Sequence, residues 1–276
     1  MYLKHLIDSH LHLDAHEFDV DRSQLIAAAH AVGVRGFVIP AVAPSNFARV
    51  RDLAHSLPDS VYCLGIHPLY LSDLNEEALQ TLEQAVMAAL PDPRFAGIGE
   101  IGLDFFVPDF DPIKQEYFYV QQLKIANRYQ LPTILHVRRS QDTLLKWLRR
   151  IAVPGGIAHA FNGSLQQAQE FLKLGFKLGF GGAATYSGSK RIRTLAATLP
   201  DEALVLETDS PDMPPQWLDD GLGHANSRRR NTPDQLPKIA AHIALLRAIS
   251  VDQLARQCTV NTCQALPALA RLLQPN

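Results

Sequence analysis

The segment Ile7-Asp8-Ser9-His10-Leu11-His12-Leu13-Asp14 closes the first predicted strand and sets the pattern from which the fold is inferred. His10 and His12 lie two residues apart, so both imidazoles of an extended chain point to the same face. A neutral imidazole is the commonest metal ligand among protein side chains. Short motifs of this kind also arise by chance, so the pair needs partners elsewhere in the chain.

Four more potential ligands lie at the ends of separate short apolar segments. Glu100 follows one predicted strand, and His136, His159 and Asp209 end three others. Helical periodicity follows each of these segments. The predicted strands are 3–7, 35–39, 61–66, 95–98, 133–136, 156–159, 177–180 and 204–209. The predicted helices are 23–32, 45–57 (capped by Ser45), 76–90 (capped by Asn75), 115–129, 142–150, 164–174, 190–199, 235–249 and 251–263, with a shorter one near the end.

Eight strand-then-helix units in one series, without a linker, predict a (β/α)₈ TIM barrel that forms a single domain over residues 1–276. The alternative is a doubly wound open sheet, which builds its site at one switch point of the strand order. The candidate ligands instead follow the first, fourth, fifth, sixth and eighth strands. Barrel enzymes carry their active sites at the carboxyl ends of many strands, so this distribution favours the barrel.

Composition and charge give no sign of a membrane protein or of a protein drawn to polyanions by its overall charge. The net charge is −2, and 47% of the residues are hydrophobic, as in an ordinary globular protein. We find no signal peptide and no segment able to span a membrane. The three cysteines, Cys63, Cys258 and Cys263, are odd in number and suit a reducing compartment as core thiols. We expect a cytoplasmic monomer without membrane partners.

Six segments together resemble the TatD family of metal-dependent deoxyribonucleases, within the amidohydrolase superfamily. The similarity covers nearly the whole chain in collinear order. The segments are Asp8-Ser9-His10-Leu11-His12, Gly65-Ile66-His67-Pro68, Gly97-Ile98-Gly99-Glu100-Ile101-Gly102-Leu103-Asp104, His136-Val137-Arg138, His159-Ala160-Phe161-Asn162-Gly163 and Glu207-Thr208-Asp209-Ser210-Pro211.

The resemblance implies two divalent metal ions at the barrel mouth. The implied ligands of one ion are His10, His12 and Asp209, those of the other are His136 and His159, and Glu100 bridges the two. The resemblance also implies that Asp209 acts as a general base. The residue types agree, since a carboxylate can bind two ions at once and each ion needs an open position for water. Four imidazoles suit zinc or manganese, whereas many nucleases use magnesium.

Three further residues have weaker assignments. The resemblance implies that His67 contacts the substrate phosphate, although it could merely stabilise a turn. Glu207 and Asp104 could orient metal ligands from behind, and Asp104 could instead shape the loop after Glu100. The Cys-Phe-Ser sequence usual in the family is replaced by 160–162, Ala-Phe-Asn, which removes no ligand.

Basic residues follow the strands at the expected mouth of the barrel. Arg138 follows the fifth strand, and Arg228, Arg229 and Arg230 lie in the long loop after the eighth. Arginines placed there would favour a polyanion, although charge runs are often only a solvated surface.

The expected function is therefore a two-metal hydrolase, a deoxyribonuclease that cleaves phosphodiester bonds of DNA from the 3′ end, with single-stranded DNA or 3′ ends as its substrate. One alternative is an amidohydrolase that acts on an ester or amide, for example an aminoacyl-tRNA. A second alternative is a non-catalytic metal-binding module, which would not need a bridging carboxylate beside an open water position.

Overall fold

The computed structural model describes residues 6–219 and 230–273, and the predicted TIM barrel is confirmed. Eight parallel strands pair in sequence order from the first to the last. They are β1 Leu6–Asp8, β2 Val34–Pro40, β3 Asp59–Leu64, β4 Phe95–Asp104, β5 Thr133–Arg138, β6 Gly156–Ala158, β7 Phe176–Phe180 and β8 Leu204–Leu206. Ser9 donates its backbone N–H to Leu206 O at 2.9 Å, which brings the last strand round to the first in a nearly closed barrel.

Helices connect the strands and cover the barrel. They are α1 Arg22–Ala31, α2 Phe47–Ser56, α3 Glu77–Ala89, α4 Pro112–Arg128, α5 Gln141–Leu148, α6 Leu165–Lys173, α7 Lys190–Thr198, α8 Leu236–Arg247, α9 Val251–Ala265 and α10 Pro267–Leu272. None of the helices in the described part of the chain has the length and apolar character needed to cross a bilayer.

Two hydrophobic cores hold this arrangement. The larger one lies between the strands and the helices. The smaller one fills the barrel interior, where alternate residues of most strands meet. Its buried strand residues are Ile7, Val38, Val61, Cys63, Ala96, Ile134, Ile157 and Val205. Ala265, Leu266, Ala268 and Leu269, at the junction of α9 and α10, pack on these residues and close the barrel floor, which leaves the opposite end for the site.

Several predicted boundaries are wrong. β4 continues through Glu100 to Asp104 instead of ending at residue 98, whereas β8 ends at Leu206, before Asp209. Ser45 does not cap α2, because the preceding turn is closed by Asn46, which accepts from Val42 N and Ala43 N at 3.2 Å.

The start of α4 is also earlier than predicted. Pro112 begins the helix, since the Asp111 carboxylate accepts from the N–H groups of Ile113 and Lys114, both at 3.0 Å. Asn75 contributes at the start of α3 as predicted, accepting from Glu77 N at 3.0 Å. Proline at the first helical position and a side-chain oxygen before it are typical helix starts.

Candidate two-metal centre

All six predicted metal ligands meet at the carboxyl end of the barrel. His10, Glu100, His159 and Asp209 are buried. His12 and His136 are partly buried. The ligand atoms form three groups in which all atoms lie within 4.8 Å of one another, namely His10 with Glu100 and His159, His10 with His12 and Asp209, and Glu100 with His136 and His67. The strand ends therefore bring together residues that are up to about two hundred positions apart in the sequence.

One oxygen of Glu100 faces the first pair of histidines. Its Oε2 lies 3.2 Å from His10 Nε2 and 3.3 Å from His12 Nε2. Asp209 Oδ1 lies 3.5 Å and 3.6 Å from the same two nitrogens. His10, His12 and Asp209 are called the His10 group below, and they surround one side of the Glu100 carboxylate.

The other oxygen of Glu100 faces the second pair. Its Oε1 lies 2.8 Å from both His136 Nδ1 and His159 Nε2, and these two nitrogens are 3.2 Å apart. His136 and His159 are called the His136 group below. Because the two oxygens of one carboxylate face different groups, Glu100 stands between two potential ion positions.

The donor set fits cations. His10 Nε2 and Glu100 Oε2 are buried and make no hydrogen bond in the described structure. On the other side, Asp104 Oδ2 lies 2.9 Å from His136 Nε2, which assigns the proton of that imidazole to Nε2. The lone pair of His136 Nδ1 then points at the Glu100 carboxylate. Two lone pairs at this distance need a positive charge between them, which a metal ion would supply. In its place a second imidazole proton supplies it, because, against burial, Asp104 and Glu100 raise the pKa of His136.

Asp104 performs both of the roles considered from the sequence. Its Oδ2 orients His136, as carboxylates commonly do for metal-binding histidines. Its Oδ1 accepts from Phe106 N at 2.9 Å and Val107 N at 3.3 Å, so it also shapes the loop after β4. One side chain thus fixes the ligand and the loop beside it.

Glu207 lies behind His159. Its Oε1 accepts from Ala160 N at 2.6 Å and lies 3.9 Å from His159 Nδ1. The absence of a side chain at Gly179 makes room for this carboxylate, because a Cβ there would lie 2.0 Å from Glu207 Oε2. Burial raises the pKa of Glu207 to about 8.

Sequence reasoning assigned no role to Asp8, Thr208 and Asn231, which support the ligands. Asp8 is fully buried and accepts from Thr208 N at 2.9 Å and from Thr208 Oγ1 at 2.6 Å, beside the His10 backbone. The Asn231 carboxamide donates to Thr208 O at 2.8 Å and to Asp212 O at 2.9 Å. Asp8 could have been noticed as a carboxylate two residues before His10, on the same face of the strand.

Burial and neighbouring imidazoles act in opposite directions on the two central carboxylates. Burial opposes ionisation of Glu100, but the surrounding histidines, first of all His159, hold its pKa well below the usual value. For Asp209 burial prevails and raises the pKa to about 6. Glu100 is 1% exposed and Asp209 8%, so Asp209 is the carboxylate that water reaches more easily.

His67 completes the wall of the site. Its Nε2 lies 3.4 Å from Glu100 Oε1, and its Nδ1 accepts the Leu69 N–H at 3.2 Å. This bond assigns the proton to Nε2, so His67 presents a hydrogen-bond donor and not a metal-binding lone pair. Burial lowers its pKa to about 4, so the imidazole is neutral at neutral pH. It also stabilises the turn, the alternative considered from the sequence.

The predicted arginines are only partly brought to this centre. Arg138 is half exposed, with Nη1 3.7 Å from Asp104 Oδ2 and the guanidinium 4.0 Å from the Phe106 ring centre. Arg230 instead pairs with Asp21, with Nη2 at 2.5 Å from Oδ2. Arg228 and Arg229 lie outside the described residues. Contact of these arginines with a substrate stays a prediction.

Comparison with known proteins adds independent information. A family model described as TatD related DNase matches residues 7–267. A protein of Escherichia coli (strain K12) named as the uncharacterized metal-dependent hydrolase YjjV is 38% identical over 257 residues, which is 93% of this chain and 95% of that protein. A Rahnella protein named as the 3′-5′ ssDNA/RNA exonuclease TatD is 32% identical, over 86% of this chain and 89% of its own length.

The fold has a matching solved structure. The crystal structure of YjjV, described as a TatD homolog from Escherichia coli K12, superposes with a TM-score of 0.87 and 37% identity, over 97% of this chain and 99% of that one. The likeness therefore includes the strands and loops that carry the candidate ligands.

Proposed function

The chain belongs to the TatD-related DNase family, whose relatives are named as metal-dependent hydrolases, and we propose that it cleaves phosphodiester bonds of single-stranded DNA from the 3′ end with two divalent ions. The observation that carries the proposal is the position of Glu100. Each of its carboxylate oxygens faces a separate group of histidine nitrogens, at 2.8 to 3.3 Å. A non-catalytic site for one ion would not need this arrangement.

In this proposal His10, His12 and Asp209 hold one ion, His136 and His159 hold the other, and Glu100 bridges them. When bound, the two ions supply Lewis-acid charge at the phosphate oxygens and make water acidic enough to attack at neutral pH. Imidazole nitrogens favour zinc or manganese over magnesium as the resident metal.

Asp209 is the group that accepts the proton of the attacking water. A general base works best with a pKa near the working pH, and burial raises that of Asp209 to about 6. The pKa of Glu100 is well below the usual value, which suits a ligand that stays charged. The two carboxylates therefore have separate tasks set by their surroundings.

The substrate contacts come from residues at the mouth. His67 Nε2 donates a hydrogen bond to a non-bridging phosphate oxygen, since its proton already points into the site. Arg138 pairs with a phosphate of the strand, and its guanidinium is held in place over Phe106. Arg139, whose guanidinium also lies over this ring at 4.5 Å, adds a second positive charge. Aromatic side chains combined with arginines are typical of single-strand nucleic-acid binding.

Glu100→Gln provides the test. The amide keeps the volume but loses the charge and one of the two metal-binding oxygens, so we expect two bound ions per chain in the wild type, fewer in the variant, and loss of DNA cleavage. Elemental analysis and cleavage of 5′-labelled single-stranded DNA measure the two effects. Two tightly bound ions and full activity in the variant would refute the bridging role. Hydrolysis of an ester panel without DNA cleavage by the wild type would favour the amidohydrolase alternative.

A further inference from the structure

A cavity of about 300 Å³ opens between the loops that follow β3 and β4. Pro68, next to His67, lies at one edge, and Leu69, Leu71 and Val107 contribute apolar walls. This volume is at the lower end of the range of small-molecule pockets, so the cavity suits one ring system and not a whole oligonucleotide.

Gln115 forms a polar part of the cavity lining. It begins the second turn of α4 and is 3% exposed. Its Oε1 accepts the Asp104 N–H at 2.9 Å, which orients the carboxamide. No acceptor for its Nε2 is found within residues 6–219 and 230–273, and because Gln115 lines the cavity this donor can be reached from there.

A second buried glutamine on the same helix differs from Gln115 in its hydrogen bonds. Gln122 is also buried, but both ends of its carboxamide are bonded: Oε1 accepts from Ile66 N at 2.7 Å and Nε2 donates to Ile66 O at 3.0 Å. Gln122 is therefore a structural glutamine, whereas the donor of Gln115 is left for something that enters the cavity.

We propose that this cavity is a nucleobase subsite, in which Gln115 Nε2 donates to a carbonyl oxygen or ring nitrogen of the base next to the cleaved phosphate. The inference rests on the proposed nuclease function. Apolar walls would contact the faces of a planar base, and the neighbouring His67 would contact the phosphate of the same strand. Lys114, whose Nζ donates to Ser72 O at 3.0 Å, lines the cavity together with Asp109 and Asp111, so the lining has no excess of positive charge. Recognition of the base therefore rests on the carboxamide and the apolar walls.

The subsite also reaches the metal centre through a short series of bonds. Gln115 holds the backbone of Asp104, and the Asp104 carboxylate orients His136. A base bound against Gln115 would therefore hold the segment that supports one metal ligand. This connection makes correct base placement a condition for efficient cleavage.

The test compares three 5′-labelled single-stranded oligonucleotides with the manganese-loaded protein. One is intact, one has an abasic nucleotide at the 3′ end, and one has it at the penultimate position. We expect at least one abasic substrate to be cleaved with a KM raised about five-fold, the effect of one neutral hydrogen bond. In Gln115→Glu the acceptor for Asp104 N remains but the donor is lost, so the KM difference between intact and abasic substrates should shrink to the part that the apolar walls supply.

Gln121→Glu, on the same helix, is the matched control for the added charge and should keep the wild-type discrimination. Manganese content, measured for all three proteins, shows whether the metal centre is intact in Gln115→Glu. Equal cleavage of all three oligonucleotides by the wild type would overturn the subsite while leaving the nuclease function in place. Discrimination that persists unchanged in Gln115→Glu would also overturn it. Absence of DNA cleavage by the wild type would instead refute the proposed function, and with it a nucleobase as the occupant.

Discussion

Asp104→Asn separates the two tasks of Asp104. Asparagine keeps a carbonyl oxygen for Phe106 N and Val107 N, now at 2.9 and 3.3 Å, so the loop after β4 should persist. It places an amide N–H group opposite His136 Nε2, which is 2.9 Å from Asp104 Oδ2. Two donors cannot face each other, so the imidazole proton must move to Nδ1, the atom that faces Glu100.

The expected loss of metal affinity follows from this move of the imidazole proton. A proton on Nδ1 removes the lone pair through which His136 would bind its ion, unless the ring turns. Loss of a carboxylate behind a metal-binding histidine typically costs 10- to 100-fold in metal affinity, or about 1.4 to 2.8 kcal/mol. The ion held by the His136 group should weaken by this amount. The His10 group makes no contact with Asp104 among the described residues and should keep its affinity.

Calorimetric titration of metal-free protein with manganese measures the two affinities. We expect two binding steps in the wild type and one selectively weakened step in Asp104→Asn. Asp52→Asn is the control, because it removes the same charge from an α2 side chain that is 68% exposed. Identical titrations of Asp104→Asn and wild type would refute the orienting role, and equal weakening of both steps would show that the variant disturbs the whole centre.

Three further predictions concern chemistry, pH and substrate. Asp209→Asn should lower the rate of DNA cleavage about 10²- to 10⁴-fold, which is typical of a lost general base. Circular dichroism should show that the variant still folds. A cleavage rate within a few-fold of wild type would mean that another residue is the base. The pKa of Asp209 is raised to about 6, so its proton competes with metal only below that pH. Against burial, the Glu100 carboxylate raises the pKa of His12 to about 9 and that of His159 to about 10, so protons also compete with metal at these imidazoles. Metal affinity should therefore fall as the pH falls through this whole range, and more steeply below 6, whereas a pH-independent titration would contradict this. Arg138→Ala should reduce the slope of log affinity for single-stranded DNA against log salt by roughly 0.7. Arg51→Ala, on the outer helix α2, is the control and should not change the slope. An unchanged slope in Arg138→Ala would mean that Arg138 is a solvated surface charge that does not contact DNA.

The barrel was predictable because its signals are local and repeated. Each strand is a short apolar segment, and each candidate ligand lies at the end of such a segment, so the rule for parallel strands brings the candidate ligands to one end without further information. The boundaries were less predictable. β4 contains three glycines from Gly97 to Gly102, which lowers its strand propensity, yet all ten of its residues are buried and it pairs with β5 as far as Asp104.

The relation among the ligands was only partly predictable. Side-chain type and position indicated that Glu100 could bridge, but not that each oxygen would face a different pair of histidines. That depends on the conformation of the β4 backbone and on the close approach of Gly65, where a Cβ would lie 2.9 Å from Glu100 N. For Arg230 the sequence position was misleading. Its place after β8 suggested a substrate contact, but its guanidinium pairs with the carboxylate of Asp21, about two hundred residues away in the sequence.

The early end of β8 has a cause that no local pattern contains. The Thr208 N–H, which a longer strand would offer to the sheet, is taken by the Asp8 carboxylate at 2.9 Å. Freed from the ladder, the chain turns at once, and Asp209 takes a φ of 55°, a left-handed conformation that aspartate tolerates better than most residues. This turn directs the carboxylate towards His10 and His12. A buried acid at the first strand therefore positions Asp209, the proposed base, after the last one, and the first and last strands of the barrel have to be adjacent for Asp209 to be in place.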